Sequence, residues 1–191
     1  MNDGKMFEKI CREQIQEVAY IYRINDFGNF VGVKNPCDHF SYKYPYFYLL
    51  ENKAYSGASL PLKAISDYQI ESMTSARKYK GILSYLLVWY IDKDVTRAIP
   101  IEVINDIKKT NKKSIRYDYQ DERIIEVPGV KKRKYFVYDW LKFFKEAASN
   151  EENNGKGRKT VGRTGTYRSR SSKKVLRYPR YLCRTHTRCI R

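Results

Sequence analysis

The sequence predicts a mixed α/β domain, in which helices flank a small sheet, followed by a basic C-terminal tail. Two apolar runs, at 45–54 and 82–91, are typical of strands that are buried on both faces. Segments with apolar residues at helical spacing lie between and around them. The charge is divided unevenly, because the formal net charge is +17 and all 21 acidic residues precede Gly155.

The elements follow one another in an order typical of a sheet with helices on its faces. An amphipathic helix is predicted at 4–18 and a strand at 18–24, followed by a loop with glycines and a proline that contains a short strand. After the strand at 45–54, Ser66 is the predicted N-cap of a helix that closes at Gly81. The remaining elements are the strand at 82–91, a strand at 96–101 that pairs with it across a turn, a short helix at 101–109, and a strand and helix within 132–148. The predicted apolar face of this last helix is Trp140, Leu141, Phe144, Ala147 and Ala148.

A chain of 191 residues is expected to form one domain, at 1–148, with a disordered tail at 149–191. From Gly155 onward the tail has 13 Lys and Arg and no Asp or Glu. A segment of this kind binds polyanions, most often nucleic acid, because it releases counterions. Arg168 and Arg170 are therefore predicted DNA contacts, and a solubilising extension is the alternative.

The sequence predicts neither a signal peptide nor a membrane span, since no apolar run approaches about 18 residues. The four cysteines form no dense framework and are expected to be reduced thiols in a cytoplasmic protein. His186 lies between Cys183 and Cys189, but this segment lacks the close cysteine pair and the fourth ligand of a zinc site.

Glu51 and Lys53 end the first buried strand with an acid and a base two residues apart. In a strand, residues i and i+2 point to the same face, so these side chains lie side by side, with Cα atoms roughly 7 Å apart. Asp38, in the loop before the strand, offers a second carboxylate, and Asn52 offers its backbone carbonyl. Mg²⁺ prefers oxygen ligands and needs only one or two carboxylates when water and phosphate complete its shell. The pattern predicts a metal site for phosphodiester hydrolysis with Lys53 as catalytic lysine, and a strand-end ion pair is the alternative.

The stretch YFYLLENKAYSGASLPLKAISDYQIESM (46–73) resembles the RecU family of Holliday junction resolvases, which have the PD-(D/E)xK nuclease fold. The matching features are the E-x-K, the SLPL that follows it, and Q-I-E-x-M at the start of the next helix. GKMFEKI near the amino terminus and KKSIRYD (112–118) extend the resemblance over roughly residues 4–145. The resemblance implies a restriction-endonuclease-like mixed sheet flanked by helices. It also implies a metal-dependent DNA endonuclease that cleaves branched DNA, acts as a homodimer and comes from a phage or a low-GC Gram-positive source.

The resemblance implies three overlapping sets of functional residues. The catalytic residues are Asp38, Glu51, Lys53 and Gln69. The ligands of Mg²⁺, with Mn²⁺ as the alternative ion, are Asp38, Glu51, the backbone carbonyl of Asn52 and, through water, Glu8. The DNA contacts are Lys53, Lys112, Lys113 and Arg116, together with Arg168 and Arg170 of the tail. The alternatives are an exposed helix charge for Glu8, a polar residue at a helix N-terminus for Gln69 and an exposed side chain for Arg116.

The chain departs from this family in a feature that bears on the substrate. RecU proteins carry a long insertion between early strands, a stalk that enters the centre of the junction, whereas only about two dozen residues separate Tyr22 from Tyr46. Either the basic tail grips the junction arms instead, or the substrate is another branched or plain DNA. Two other functions stay open, namely a restriction- or repair-type nuclease on duplex DNA and a DNA-binding protein without catalysis.

Overall fold

The computed structural model describes residues 3–25, 34–133 and 136–157. The part of the predicted tail from residue 158 onward, with Arg168 and Arg170, lies outside the described residues. None of the helices within these ranges is long and apolar enough to cross a membrane.

Four helices and ten strands make up the described part of the chain. The helices are α1 (Asp3–Ile15), α2 (Asp67–Ala76), α3 (Ile101–Lys108) and α4 (Trp140–Gly157). The strands are β1 (Tyr20–Arg23), β2 (His39–Lys43), β3 (Tyr46–Tyr55), β4 (Ser59–Pro61), β5 (Ile82–Tyr90), β6 (Val95–Pro100), β7 (Ser114–Arg116), β8 (Ile125–Glu126), β9 (Gly129–Lys131) and β10 (Phe136–Tyr138).

The central sheet has six strands in the order β1-β2-β3-β5-β6-β8. The pair β3 and β5 is parallel, and the other neighbours are antiparallel. Helix α2 provides the crossover between the two parallel strands, as a βαβ connection requires. Two small ribbons, β4 with β7 and β9 with β10, complete the strand pairing. Strand β3 is therefore an interior strand of the sheet, and it carries the E-x-K.

Each face of the sheet is covered by a separate apolar cluster, which confirms the predicted mixed sheet flanked by helices. On one face, Phe7 and Ile15 of α1 and Phe143 of α4 pack against Tyr48 and Leu50 of β3. On the other face, residues of α2 and α3 pack against alternate residues of the same strands, and the cluster includes Leu49, Ile70, Met73, Leu86, Val103 and Ile104. Because successive side chains of β3 point to opposite faces of the sheet, Glu51 lies with Leu49 on the face that α2 and α3 cover.

Most of the predicted elements are present, but α2 is shorter than predicted. The strand at 96–101 corresponds to β6, which pairs antiparallel with β5 as expected. Helix α2 ends at Ala76 and not at Gly81. The side chain of Arg77 binds the carbonyl of Ile82, so the chain turns back into β5 directly after the helix. Gly81 has φ +87°, a left-handed conformation that glycine adopts without strain, and it forms part of this turn.

The last helix departs from the prediction in its length and in its buried face. Helix α4 continues to Gly157, nine residues beyond the predicted boundary at 148. The side chain of Glu151 binds Arg77 with an N–O distance of 2.7 Å, which ties this extension to the domain. Leu141, which was predicted to be buried, is 44% exposed, and Phe143 is fully buried in its place.

Candidate active site

Strand β3 brings Glu51 and Lys53 to the point where its buried part ends. Tyr48 to Glu51 are buried, whereas Asn52 to Tyr55 are half-buried. Oε1 of Glu51 lies 2.7 Å from Nζ of Lys53, so the two side chains share one face as the period of a strand predicts. Glu51 is only 1% exposed and Lys53 is 25% exposed. The two residues form an ion pair in which the acid is buried and the base is partly exposed.

Asp38 lies against the backbone of the same strand. It directly precedes β2, and its Oδ2 accepts a hydrogen bond of 2.8 Å from the backbone N–H of Asn52. Its pKa is raised to about 7, first by burial and then by the negative charge of Glu51, although the Asn52 N–H acts in the opposite direction. The carboxylates predicted as metal ligands are thus close enough to repel each other.

Glu51 keeps one oxygen without a partner. Burial raises its pKa, while the charge and hydrogen bond of Lys53, the side chain of Gln69 and the backbone N–H of Asp38 lower it in part. Oε2 of Glu51 is buried and has no partner at hydrogen-bond distance within the described residues. An unpartnered buried carboxylate oxygen is the kind of group that a hard cation satisfies.

Gln69 is the polar residue at a helix N-terminus that was given as the alternative, and its side chain also lies near Glu51. Its backbone N–H donates to Oγ of Ser66, and its Oε1 accepts from the Ser66 backbone N–H, which completes a capping box at the start of α2. With Oε1 used by the cap, the other side of the amide is the one that can face Glu51. The contact with Gln69 offsets part of the rise in the Glu51 pKa that burial causes. A residue that caps α2 thereby also faces the candidate site.

The positions of Glu8 and Asn52 allow the predicted roles without testing them. Glu8 forms an ion pair with Arg23 and is 19% exposed, so it is not the exposed helix charge of the alternative. Its charge raises the pKa of Asp38, which places it near the site. The side chain of Asn52 points away from Glu51, and its Nδ2 donates to Nδ1 of His39 over 3.0 Å.

His39 lies beside the site and was not among the residues predicted from the sequence. It is fully buried, and burial lowers its pKa to about 4, so the ring is neutral near pH 7. Its other nitrogen, Nε2, has no partner within the described residues. The contact with Asn52 depends on the pairing of β2 with β3. Residues 25–40 were predicted as a loop with a short strand inside it, so only the position of His39 beside Asp38 pointed to this residue.

The carboxylates fit a magnesium ion but not a metal that needs many protein ligands. Within the described ranges, no group of three or more His, Cys, Asp or Glu side chains could hold a metal ion. Asp38 and Glu51 are two carboxylates, and Mg²⁺ commonly binds one or two carboxylates together with water and substrate phosphate. The unpartnered Oε2 of Glu51 supports the same donor set.

The predicted DNA contacts of the body lie beside this site on a separate ribbon. Strand β7 pairs with β4, which follows the E-x-K strand, and Ser59 is opposite Arg116. Arg116 is 61% exposed and forms two hydrogen bonds with Asp118. Nζ of Lys112 lies 4.8 Å from the centroid of the Tyr119 ring, and Lys113 is exposed. These positions are compatible with DNA contacts and do not test them.

The chain matches one family model and is similar to a solved structure. The profile of the family described as Recombination protein U matches residues 13–146. Among solved structures, the chain is similar to Hjc, a Holliday junction resolvase from the archaeal hyperthermophile Archaeoglobus fulgidus, with 16% identity and a TM-score of 0.42. That similarity covers 65% of this chain and 84% of the Hjc chain. No curated protein sequence matches the chain.

Proposed function

The chain belongs to the RecU family of Holliday junction resolvases, and we propose that it is a metal-dependent endonuclease that cleaves four-way DNA junctions. The observation that carries this proposal is the buried Glu51 with the half-buried Asp38 close to it and with Nζ of Lys53 at 2.7 Å. Two repelling carboxylates and an amine at the end of an interior strand fit the binding of a cation and a phosphate.

Asp38 and Glu51 would hold Mg²⁺, or Mn²⁺ in its place, together with the carbonyl of Asn52 and, through water, Glu8. When bound, the ion would act as a Lewis acid on the scissile phosphate and lower the pKa of the attacking water. Asp38 is held for this role by the Asn52 N–H, and Glu51 is held by Lys53. Gln69 faces Glu51 from the start of α2 and would limit the rotation of its carboxylate.

Lys53 would act directly on the substrate. Its nitrogen lies between Glu51 and solvent, because the side chain is one-quarter exposed while Glu51 is buried. From there it can orient the attacking water or balance the charge that grows on the phosphate in the transition state. Junction resolution needs two symmetric nicks, and a homodimer with two-fold symmetry would supply two such sites.

A second candidate function is supported by the short connection between β2 and β3. Tyr44 and Pro45 alone join these strands, so no stalk enters a junction from this hairpin. The connection between β1 and β2 includes residues 26–33, which lie outside the described residues. An endonuclease without this recognition element would cut other branched DNA or plain duplex.

A cleavage assay with matched variants separates these functions. Wild-type protein, Glu51→Gln and the control Glu71→Gln are incubated with a labelled four-way junction and a linear duplex of the same sequence, in Mg²⁺ or EDTA. Glu71 is an exposed acid on α2, so its variant loses the same charge outside the site. We expect paired nicks in the junction only, with Mg²⁺, for wild type and Glu71→Gln. Glu51→Gln should be slower by a factor of about 100 or more.

The other outcomes of this assay are equally informative. Cleavage of both substrates would support the second candidate over the resolvase. Tight binding of the junction with no cleavage by wild-type protein would contradict a nuclease and leave a DNA-binding protein. Full activity of Glu51→Gln would show that the carboxylate does not take part in the reaction.

A further inference from the structure

A groove lined by lysines begins where α2 begins, next to the candidate active site. Its volume is about 800 Å³, and it lies between the start of α2, the end of α3 and the segment before β7. Ser66, which shares the capping box with Gln69, is one of its lining residues. Since the side chain of Gln69 also lies near Glu51, the groove begins at the same end of α2 as the contact with Glu51.

The charge of the groove is strongly positive. Its charged lining residues are Lys63, Lys108, Lys112, Lys113 and Asp67. Asp67 is paired with Lys108 at 2.7 Å, but both side chains are exposed, so a phosphate can replace this contact at little cost. Lys63 and Lys113 are exposed and have no acidic partner within the described residues.

The backbone below the lysines is held in place by hydrogen bonds. Leu60 and Ile115 are buried opposite each other in the ribbon of β4 and β7. Beyond its last pair, the N–H of Leu62 donates to the carbonyl of Lys113 over 2.9 Å. The attachment points of Lys63 and Lys113 are therefore fixed relative to each other, while their flexible side chains can follow a ligand.

We propose that this groove binds the phosphodiester backbone of the DNA arm that flanks the scissile phosphate. The inference rests on the proposed function and adds Lys63 and Lys108 to the predicted contacts of Lys112 and Lys113. A DNA backbone fits better than a small anion because the lysines are spread along an open groove. Duplex DNA carries one charge per about 1.7 Å of its axis, so an arm presents phosphates to several of these lysines at once. Binding of this kind positions the substrate without reading its sequence.

The test compares two double variants that remove the same charge from opposite ends of α2. Lys63→Gln with Lys113→Gln removes the two unpaired lysines of the groove. Lys78→Gln with Lys80→Gln removes two exposed lysines just after α2, about 15 Å away along a helix of ten residues. The dissociation constant for a four-way junction is measured in EDTA over a range of salt concentrations, after thermal unfolding confirms that all proteins are folded.

We expect the slope of log K against log salt to fall by about 2 for the groove variant and affinity at 0.1 M salt to fall on the order of tenfold. The control should keep the wild-type slope. Ethylation of individual phosphates should interfere with wild-type binding at two or three neighbouring positions, and this interference should disappear in the groove variant only. Equal slope changes in both variants, or none in the groove variant, would overturn the inference. Because binding is measured without Mg²⁺, this result does not depend on whether the protein cleaves DNA.

Discussion

Asp38 and Glu51 are two carboxylates that the fold brings close together, with Glu51 buried and Asp38 half-buried. One oxygen of Glu51 has no hydrogen-bond partner within the described residues, and the pKa of Asp38 is raised to about 7. Burial of charge without full compensation lowers the stability of a fold. Residues that reduce stability in this way are typical of functional sites, where a ligand supplies the missing interaction.

Replacement of Asp38 should therefore stabilise the protein when no metal is present. Asp38→Asn keeps an oxygen for the Asn52 N–H and removes the repulsion from Glu51. In EDTA at pH 8, where the Asp38 carboxyl is ionised, we expect the free energy of unfolding to rise by about 1–2 kcal/mol. Mg²⁺ should stabilise the wild type and not the variant. Asp92→Asn, at an exposed acid, is the control. It should change neither the free energy of unfolding in EDTA nor the stabilisation by Mg²⁺. If Asp38→Asn is instead less stable than the wild type in EDTA, the contacts of the Asp38 carboxylate outweigh its desolvation and its repulsion from Glu51.

The residues of the site differ in how far the sequence could predict them. The contact of Glu51 with Lys53 follows from the period of a strand, which is a local rule. The hydrogen bond from the Asn52 N–H to Asp38 depends on how β2 lies beside β3. The sequence therefore predicted Asp38 as a site residue but not this hydrogen bond. His39 was missed because it lies on the buried face of β2. A short strand was predicted within this loop, but its residues were not assigned.

At the scale of elements, the start of α2 links helix stability to the site. The hydroxyl of Ser66 accepts from the N–H of Gln69, and both the backbone and the hydroxyl of Ser66 donate to Oε1 of Gln69. These contacts restrain the amide whose other side faces Glu51. The cap therefore begins α2 and also restrains a side chain that lies near Glu51.

Loss of this cap should reduce both stability and activity. Ser66→Ala removes the side-chain acceptor and donor, so we expect it to lower the free energy of unfolding by about 1 kcal/mol. It should also slow DNA cleavage at saturating Mg²⁺ severalfold, because Gln69 becomes free to rotate. Ser66→Thr keeps a hydroxyl and is the matched control, which should retain most of both properties. Denaturant unfolding and cleavage rates measure the two effects, and a Ser66→Ala protein as stable as wild type would contradict a stabilising cap.

The sequence predicted the starts of helices better than their ends. Ser66 was predicted as an N-cap because capping depends on local residue types. Helix α2 ends five residues before Gly81, since Arg77 turns the chain through contacts with Ile82 and distant acids. Helix α4 passes the predicted boundary at 148 because Glu151 binds Arg77, a contact between residues far apart in sequence. No local pattern contains such information.

At the scale of the whole molecule, the chain divides into a balanced domain and a basic segment. Twelve of the 38 Lys and Arg, and none of the 21 Asp and Glu, follow Gly157, where α4 ends. About half of the acids form ion pairs within the described residues, such as Asp106 and Asp121 with Arg123. The basic segment after Gly157 therefore holds a large part of the charge that is available to DNA.

Removal of this segment should weaken DNA binding mainly through its charge. A chain that ends at Gly157 keeps α4 and the contact of Glu151 with Arg77, so it should unfold at the same temperature as the full chain. We expect a lower affinity for a four-way junction and a smaller slope of log K against log salt, since fewer counterions are released. A full-length chain with its last twelve Lys and Arg replaced by Gln should behave like the truncated one. If the Gln chain instead binds like the wild type, the segment contributes through contacts other than charge, and if truncation leaves the slope unchanged, the segment does not contact DNA.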